Sequence, residues 1–396
     1  MSGPGAALEF DHDEVTDGVT LAIGDIELTA RHTPGHTPEH ISMLVHEPDH
    51  VARVLTGDTL FVNAVGRPDL LGGERARALA SDLYVSLVEK LMTLPDDVQV
   101  HPGHGAGSLC GSGIGSAPFT TIGQERRFNP FLQHRSQQAF VEAVLGDLPE
   151  TPPYFADLKR VNRIGPAVLD LVSGVPDVPS LSPRDAERAI GRGSLLIDLR
   201  PGDAFLNGHP ANALSIGFGS KVGYWAGWVV PVSASVILLN DGDRRQIQEA
   251  RRQLLRVGID HVAGYVEGGF AAWRAAELPV ARISQMSARE LHDHQAKSSI
   301  AVIDVRTRHE FDDGHVAGAL HLPVGALATR PAEVPRDRPV ATICEGGYRS
   351  VLAASLLARA GVAPVINVTG GMTAYRKLED GTVSRSEQAP HAPNHQ

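Results

Sequence analysis

The 396-residue chain contains little cysteine, with Cys110 and Cys344 as its only two. Two cysteines cannot build a disulfide framework, and they are typical of a reducing compartment in which a thiol stays reactive. The chain also lacks runs of Lys and Arg, and its formal net charge is -10 at pH 7. An acidic chain without a basic patch repels phosphate backbones, so we expect no nucleic-acid partner.

Export and membrane segments are missing as well. Residues 1–14 are small and then acidic, without the basic and apolar regions of a secretory signal. The most apolar stretch, 223–239, contains Pro231 and is shorter than the about 20 residues of a membrane-spanning helix. We therefore expect a cytoplasmic protein without a membrane partner. Hydrophobic residues make up 42% of the chain, and its length allows about two to four domains.

The second half of the chain contains an internal repeat. Asp198 and His209 recur 106 positions later as Asp304 and His315, in the same order. Equal spacing in two places indicates two homologous domains. Short apolar runs, such as 195–199 and 340–343, alternate with helical patterns, such as 350–360, which predicts parallel α/β sheets.

Segments rich in proline and polar residues separate these domains. The tail after residue 380 offers little apolar surface to bury. We predict a first domain over 1–150, a linker over 151–180, α/β domains over 181–280 and 284–380, and a disordered tail over 381–396.

Cys344 stands between a strand-like run and a helical pattern. Gly346 and Gly347 follow it, and a glycine-bearing turn at a helix start directs backbone N–H groups and the helix dipole toward one point. Arg349 adds a positive charge nearby, so the loop favours a nucleophilic or anion-binding thiolate. A buried, inert cysteine is the alternative interpretation of such a residue.

The second copy, over 284–380, resembles the rhodanese family in its Cys344-x-x-Gly347-x-Arg349 loop and its Gly314-His315 and Gly370-Gly371 pairs. The resemblance implies that Cys344 takes sulfane sulfur from a donor as a persulfide and passes it to an acceptor. A related phosphatase loop is one residue longer, which favours sulfur over phosphate here. The first copy has Asn240 or a neighbour at the cysteine position, and resembles the inactive partner of a tandem rhodanese.

Three glycine-containing turns in the first domain carry His36, Asp58 and His104, which are metal-ligand types. A single histidine is more often a surface or hydrogen-bonded residue, but three such turns in order favour a metal site. They resemble the metallo-β-lactamase superfamily over roughly residues 9–145. Within that superfamily, Arg67 and Asp69 make the chain resemble the persulfide dioxygenases in particular.

This resemblance implies a partial αββα sandwich that holds one Fe(II), in preference to zinc, through His36 and Asp58 with His104 nearby. It also implies that Arg67 and Asp69 bind substrate. The His-x-His-x-Asp-His motif of that family does not occur before His36. We therefore expect an N-terminally truncated domain, and a homo-oligomer that covers its exposed sheet edges.

The implied function is sulfane-sulfur metabolism. The first domain would oxidise a thiol persulfide, such as glutathione persulfide, to sulfite, and Cys344 would exchange sulfur among persulfide, sulfite and thiosulfate. The absent motif leaves the dioxygenase activity open. One alternative is a glyoxalase-II-like hydrolase in which two metals activate water, against which Arg67 and Asp69 argue. Another is a non-enzymatic sulfur carrier or sensor with a vestigial metal domain.

Overall fold

The structure, a computed structural model, describes residues 1–47, 50–166, 177–295 and 299–379. It contains two compact units, one of Met1–Thr151 with Lys159–Ala167 and one of Pro152–Leu158 with Val168–Gln396. Within the described ranges, no helix has the length and apolarity that crossing a membrane requires. The predicted disordered tail over 381–396 lies outside the described residues.

The first unit is built on a six-stranded sheet in the order β1-β2-β3-β4-β7-β8, antiparallel except for the parallel pair of β4 and β7. Its strands are β1 (Thr20–Ile23), β2 (Ile26–His32), β3 (Ile41–Glu47), β4 (His50–Gly57), β5 (Leu60–Phe61), β6 (Ala64–Val65), β7 (Gln99–Pro102) and β8 (Thr120–Thr121). Its helices are α1 (Gly73–Val85), α2 (Ile122–Phe128) and α3 (Gln137–Gly146), with a π-helical segment at Ser86–Leu91 and a 3-10 turn at Phe131–Gln133.

The core of this unit lies between the sheet and its helices. Val54 and Val100 of the parallel pair are fully buried, and they belong to one cluster with Leu83 of α1 and Phe140 of α3. At the sheet edge, by contrast, Ile23 of β1 is 62% exposed. An open edge with exposed apolar side chains is a site of association, and formation of a homo-oligomer stays a prediction.

The second unit contains both copies of the repeat. The first copy has strands β9 (Ser180–Leu181), β10 (Leu195–Asp198), β11 (His209–Pro210), β12 (Leu214–Ser215), β13 (Val236–Leu239), β14 (Val262–Val266) and β15 (Val280–Ala281). Its helices are α5 (Pro183–Gly191), α6 (Gly202–Asn207), α7 (Val222–Val229), α8 (Arg244–Leu255) and α9 (Gly269–Ala275).

The second copy repeats this layout. Its strands are β16 (Ser284–Ser287), β17 (Ala301–Asp304), β18 (Leu320–His321), β19 (Val340–Ile343) and β20 (Val365–Thr369). Its helices are α10 (Ala288–Gln295), α11 (Arg308–Asp312), α12 (Val324–Thr329), α13 (Tyr348–Arg359) and α14 (Gly371–Glu379), with a 3-10 turn at Pro331–Glu333.

The two copies have the same five-stranded parallel sheet, in the orders β12-β10-β13-β14-β9 and β18-β17-β19-β20-β16. All four residues of the central strands β13 and β19 are buried. A parallel sheet covered by helices on both faces requires such continuously apolar strands. The α/β class and the duplication predicted from the repeat are thereby confirmed.

The segment predicted as a linker, 151–180, contains a helix, α4 (Tyr154–Ile164). Tyr154 is 9% exposed and joins the main core of the second unit, where its ring fills the space beside Gly227. The prolines at 152 and 153 suggested a linker, but proline is tolerated just before and within the first turn of a helix. Residues 167–176 of the predicted linker lie outside the described residues.

Candidate functional site

Cys344 lies at the C-terminal end of β19, just before α13. Its side chain is 1% exposed, and its Sγ atom accepts a hydrogen bond from the backbone N–H of Gly347 at 3.1 Å. Gly347 precedes α13 with φ of 108°, a backbone conformation that favours glycine. Gly346 is exposed, and a Cβ atom built on it would meet nothing within 4 Å. The sulfur is therefore buried beneath the loop, and the outer side of the loop, at Gly346, is exposed to solvent.

Arg349, in the first turn of α13, is held by an acidic residue from another element. Its two terminal nitrogens donate to the two carboxylate oxygens of Glu310, each at 2.6 Å. Glu310 also forms a capping box with Thr307 at the start of α11. Burial alone would raise the pKa of Glu310, but the hydrogen bonds from Arg349 and Thr307 lower it to about 2. The guanidinium is thus fixed beside the loop with much of its charge offset.

Glu345, the residue after the cysteine, holds the loop on its other side. Its carboxylate accepts hydrogen bonds from Arg306 at 3.2 Å, Thr373 at 3.0 Å and Arg376 at 2.7 Å. Arg306 is fully buried and forms an ion pair with Asp304 at 2.7 Å. The sequence interpretation gave roles to Arg349 and the glycines but gave none to Glu345 and Glu310. The charge of Glu345, directly after Cys344, was the available signal.

In the first unit, the side chains of His36, Asp58 and His104 lie close together. The Nε2 atom of His36 lies 3.3 Å from one oxygen of Asp58, and the Nδ1 atom of His104 lies 2.7 Å from the other. Asp58 follows β4, and His104 follows the parallel neighbour β7, so the two strand ends bring these side chains to one edge. The hydrogen bonds from both histidines outweigh burial and hold the pKa of Asp58 well below its usual range.

The donor set fits a divalent metal ion. The Nδ1 atom of His36 lies 2.9 Å from the carbonyl oxygen of Arg67, which can only accept, so Nδ1 donates to it and Nε2 is the nitrogen that faces Asp58. A bound cation would take the place of the proton on Nε2 and would be held by Nε2 and the carboxylate of Asp58 together. A ligating histidine whose other nitrogen donates to a carbonyl is a common arrangement at metal sites.

Cys110 is a further possible ligand, to which the sequence analysis gave no role. One ligand atom from each of His36, Asp58 and Cys110 lies within 4.8 Å of the others. The pKa of His104 is raised to about 10, mainly by its hydrogen bond to Asp58 and secondly by its hydrogen bond to Cys110. The thiol therefore belongs to the same cluster as the predicted ligands. Its position after a glycine-rich turn gave no sign of this contact.

Comparison with known families matches residues 182–276 and 287–378 to the Rhodanese-like domain, and residues 2–104 to the Metallo-beta-lactamase superfamily. The chain is a metallo-beta-lactamase domain followed by two rhodanese-like domains. The rhodanese-like domains support an activity of the sulfurtransferase type. The metallo-beta-lactamase fold supports binding of a divalent metal.

Individual relatives resemble parts of the chain. An uncharacterized protein of Mycobacterium leprae is 43% identical over 130 residues, which cover 33% of this chain and 49% of that protein. A hydroxyacylglutathione hydrolase of Haemophilus influenzae is 38% identical over 120 residues, 30% of this chain and 47% of that protein. A crystal structure of a metallo-beta-lactamase from Staphylococcus aureus matches with a TM-score of 0.57 and 28% identity, over 67% of this chain and 74% of its own. The chain spans about half the length of these two curated relatives.

The first rhodanese-like domain has Asn240 where the second has Cys344. Asn240 is 2% exposed, and its amide donates to the carbonyl of Asp243 at 2.7 Å and accepts from the N–H of Gly242 at 3.0 Å. The amide thus closes the loop on itself. Because an amide has no nucleophilic sulfur, this domain cannot carry sulfane sulfur.

His40 of the metallo-beta-lactamase domain is a further residue that the sequence interpretation missed. Its Nε2 atom accepts the backbone N–H of Asp58 at 3.0 Å, and its Nδ1 atom lies 2.8 Å from the hydroxyl of Thr59. Burial and the neighbouring His36 lower the pKa of His40 to about 4. Neutral His40 therefore positions the turn that presents Asp58.

Arg67 and Asp69, predicted to bind substrate, form an ion pair at 2.7 Å. Arg67 is 1% exposed, and it also donates to the carbonyl oxygens of Leu109 and Pro149 and to the hydroxyl of Thr151. These bonds connect the turn of Arg67, whose carbonyl oxygen contacts His36, to the residue before Cys110 and to residues 149–151. A direct contact of either residue with substrate stays a prediction.

Proposed function

We propose that this protein transfers sulfane sulfur through a persulfide on Cys344. The observation that supports the proposal most is the setting of the sulfur, which accepts the N–H of Gly347 at the start of a 12-residue helix. Backbone N–H groups and the positive end of a helix dipole stabilise an anionic sulfur. Arg349 lies at the same loop, fixed in place by Glu310.

The reaction proceeds in two displacement steps. The Cys344 thiolate attacks the outer sulfur of thiosulfate, the S–S bond of the donor breaks, and sulfite leaves with the electron pair. An acceptor thiolate then attacks the outer sulfur of the Cys344 persulfide and leaves as a new persulfide, while Cys344 regains its thiolate. No external oxidant or reductant enters, because each step is a thiol-disulfide type of exchange.

Sulfur loading can be tested directly on the full chain. After incubation with thiosulfate, intact-mass and peptide mass spectrometry should find one added sulfur atom on the peptide that contains Cys344. Cys110 serves as the internal control, because it is the only other cysteine. Replacement of Cys344 by Ser should abolish transfer to cyanide or to a thiol; transfer retained by that variant would refute the proposal.

For the metallo-beta-lactamase domain, we propose oxidation of a low-molecular-weight thiol persulfide to sulfite. It is supported by the two histidines and one carboxylate at one edge, a ligand type that suits Fe(II), and by the resemblance of the Arg67–Asp69 turn to persulfide dioxygenases. A bound iron would supply the activation of O2. His36 and Asp58 would hold that ion, and His40 would keep Asp58 oriented.

The competing function is metal-dependent hydrolysis, which the name of the Haemophilus influenzae relative favours. Metal analysis with two assays separates the candidates. Bound iron with O2 uptake on glutathione persulfide supports oxidation, and bound zinc with hydrolysis of a hydroxyacylglutathione supports the hydrolase. Absence of both metals and both activities, with sulfur transfer intact, would leave a sulfur carrier with a vestigial metal domain.

A further inference from the structure

A groove runs between the two rhodanese-like domains beside the Cys344 loop. It has a volume of about 550 Å³. The segment 217–221 and Trp225 of the first domain form one wall, and Thr307, Tyr348 and Arg349 of the second form the other. We call it the acceptor groove. The domain without a cysteine thus provides half of the surface of a groove that reaches Arg349 of the Cys344 loop.

Aromatic side chains line this groove from both domains. The rings of Trp225 and Tyr348 lie 6.0 Å apart, and Tyr224 stands edge-on to Trp225 at 4.9 Å. The hydroxyl of Tyr348 donates to the carbonyl of Gly217 at 3.3 Å, which ties the two walls together. Such a surface favours the organic part of a ligand, since flat rings offer large apolar contact area.

The charge of the groove is positive. None of the residues that line it is Asp or Glu, and its two cations are Lys221 and Arg349. Arg349 is engaged by both oxygens of Glu310. Lys221 is exposed at the start of α7, and within the part of the chain that the structure describes it makes no ion pair. Its ammonium is therefore the charge available to a ligand.

The volume argues for a ligand larger than an inorganic ion. Small-molecule sites span about 300–1,000 Å³, whereas an ion of four heavy atoms needs roughly 100 Å³ at about 30 Å³ per water-sized group. We propose that the acceptor groove binds an anionic organic thiol of small-peptide size, with a carboxylate on Lys221 and its body against Trp225. This thiol is the acceptor that attacks the outer sulfur of the Cys344 persulfide, so the inference rests on the proposed sulfur transfer.

The test compares acceptors of different charge on persulfide-loaded full-length protein. Discharge rates are measured in single turnovers against glutathione, neutral dithiothreitol and sulfite. Replacement of Lys221 by Ala should raise the half-saturating glutathione concentration about three- to fivefold, the size expected of one exposed ion pair. The rate with dithiothreitol should not change. Lys221→Arg should retain glutathione binding, and Lys159→Ala, which removes the same charge from an exposed position outside the groove, should behave as the wild type.

A binding measurement separates this inference from the proposed function. Titration of unreactive S-methylglutathione into the Cys344→Ser protein, followed by calorimetry, needs no sulfur transfer, and Lys221→Ala should weaken this binding by the same factor. Equal losses with glutathione and dithiothreitol, a loss confined to sulfite, or unchanged glutathione saturation would each overturn the assignment of the groove. Absence of sulfur loading on Cys344, with Lys221-dependent binding intact, would instead refute only the transfer function.

Discussion

At the scale of single residues, the Cys344 loop depends on carboxylates that are not part of its motif. Glu310 reaches Arg349 from α11, and Glu345 reaches Arg306 and Arg376. Both carboxylates connect the loop to neighbouring elements through charge-assisted hydrogen bonds, which are stronger than neutral ones. The loop geometry is therefore set by its surroundings as well as by its glycines.

Replacement of Glu310 by Gln should destabilise the protein by about 1–2 kcal/mol, because the variant loses a two-point ion pair and weakens a helix cap. Urea unfolding measures this loss. Glu333→Gln is the matched control, since its ion pair with Arg330 is about half exposed and contributes little. Equal effects of the two substitutions would contradict the role assigned to Glu310.

The lowered pKa of Glu310 also predicts a pH dependence. A carboxyl group whose pKa is lower in the folded than in the unfolded state stabilises the fold above its unfolded value, and this contribution disappears as the pH falls through its folded value. The stability difference between wild type and Glu310→Gln should therefore have its full size above pH 4.5, the ordinary pKa of a glutamate. It should shrink as the pH falls toward about 2, the pKa of Glu310 in the folded protein. Urea unfolding of both proteins across this range measures it; a constant difference would contradict the ion pair.

The buried ion pair of each rhodanese-like domain is a second residue-scale test. Asp304 and Arg306 are fully buried, and Asp198 and Arg200 form the equivalent pair at 2.6 Å in the first domain. Asp304→Asn should cost about 3–5 kcal/mol, since it leaves the buried guanidinium of Arg306 with only the partly exposed carboxylate of Glu345, at 3.2 Å, as its counter-charge. Thermal or urea unfolding measures the loss. Asp312→Asn, which removes only an exposed i,i+4 pair with Arg308, should stay within about 0.5 kcal/mol of the wild type.

At the scale of elements, the two rhodanese-like domains share a close backbone approach behind the loop that follows β13 in the first and β19 in the second. A Cβ atom on Gly371 would lie 2.2 Å from the carbonyl oxygen of Cys344, and one on Gly269 would lie 2.1 Å from that of Asn240. Both glycines have positive φ, 56° and 61°. The strand-loop-helix unit therefore requires glycine at this point in both copies, whether or not the loop is catalytic.

Gly371→Ala should consequently destabilise the second rhodanese-like domain by at least about 1–2 kcal/mol, from the left-handed backbone alone, and should slow sulfur loading by displacing the Cys344 carbonyl. Differential scanning calorimetry and the thiosulfate loading assay measure the two effects. Gly191→Ala, at the end of α5 where a Cβ meets nothing within 4 Å, is the control and should be neutral or stabilising. An unchanged transition in Gly371→Ala would show that the loop relaxes freely.

At the scale of the whole molecule, the candidate metal ligands and Cys344 belong to different compact units with separate hydrophobic cores. Effects of substitutions without shared partners are additive. Asp58→Ala should therefore remove bound metal without changing the loading of Cys344, and Cys344→Ser should leave metal content unchanged. Elemental analysis and mass spectrometry of both variants check this, and a loss of loading in Asp58→Ala would indicate that the two units depend on each other.

Much of the fold was predictable because its signals are local. The apolar run at 340–343 and the helical pattern from 350 to 360 correspond to β19 and α13 (Tyr348–Arg359), and the run at 195–199 to β10 (Leu195–Asp198). Periodicity within ten residues specifies such elements. The helix in the predicted linker was missed, because its apolar side chains are explained only by the core that Tyr154 joins.

The sequence by itself determined the duplicated α/β domains, and it located the loop of Cys344 and the turns of His36, Asp58 and His104, because each is encoded in a short stretch of chain. Only the tertiary structure decided which partners these residues have. Glu310 contacts Arg349, which is 39 positions away in the sequence, and Cys110 lies beside His36 and Asp58. Lys221 of the first rhodanese-like domain lines the acceptor groove together with Arg349 of the second. Contacts between residues distant in sequence follow from how sheets and helices pack, and no local pattern specifies them.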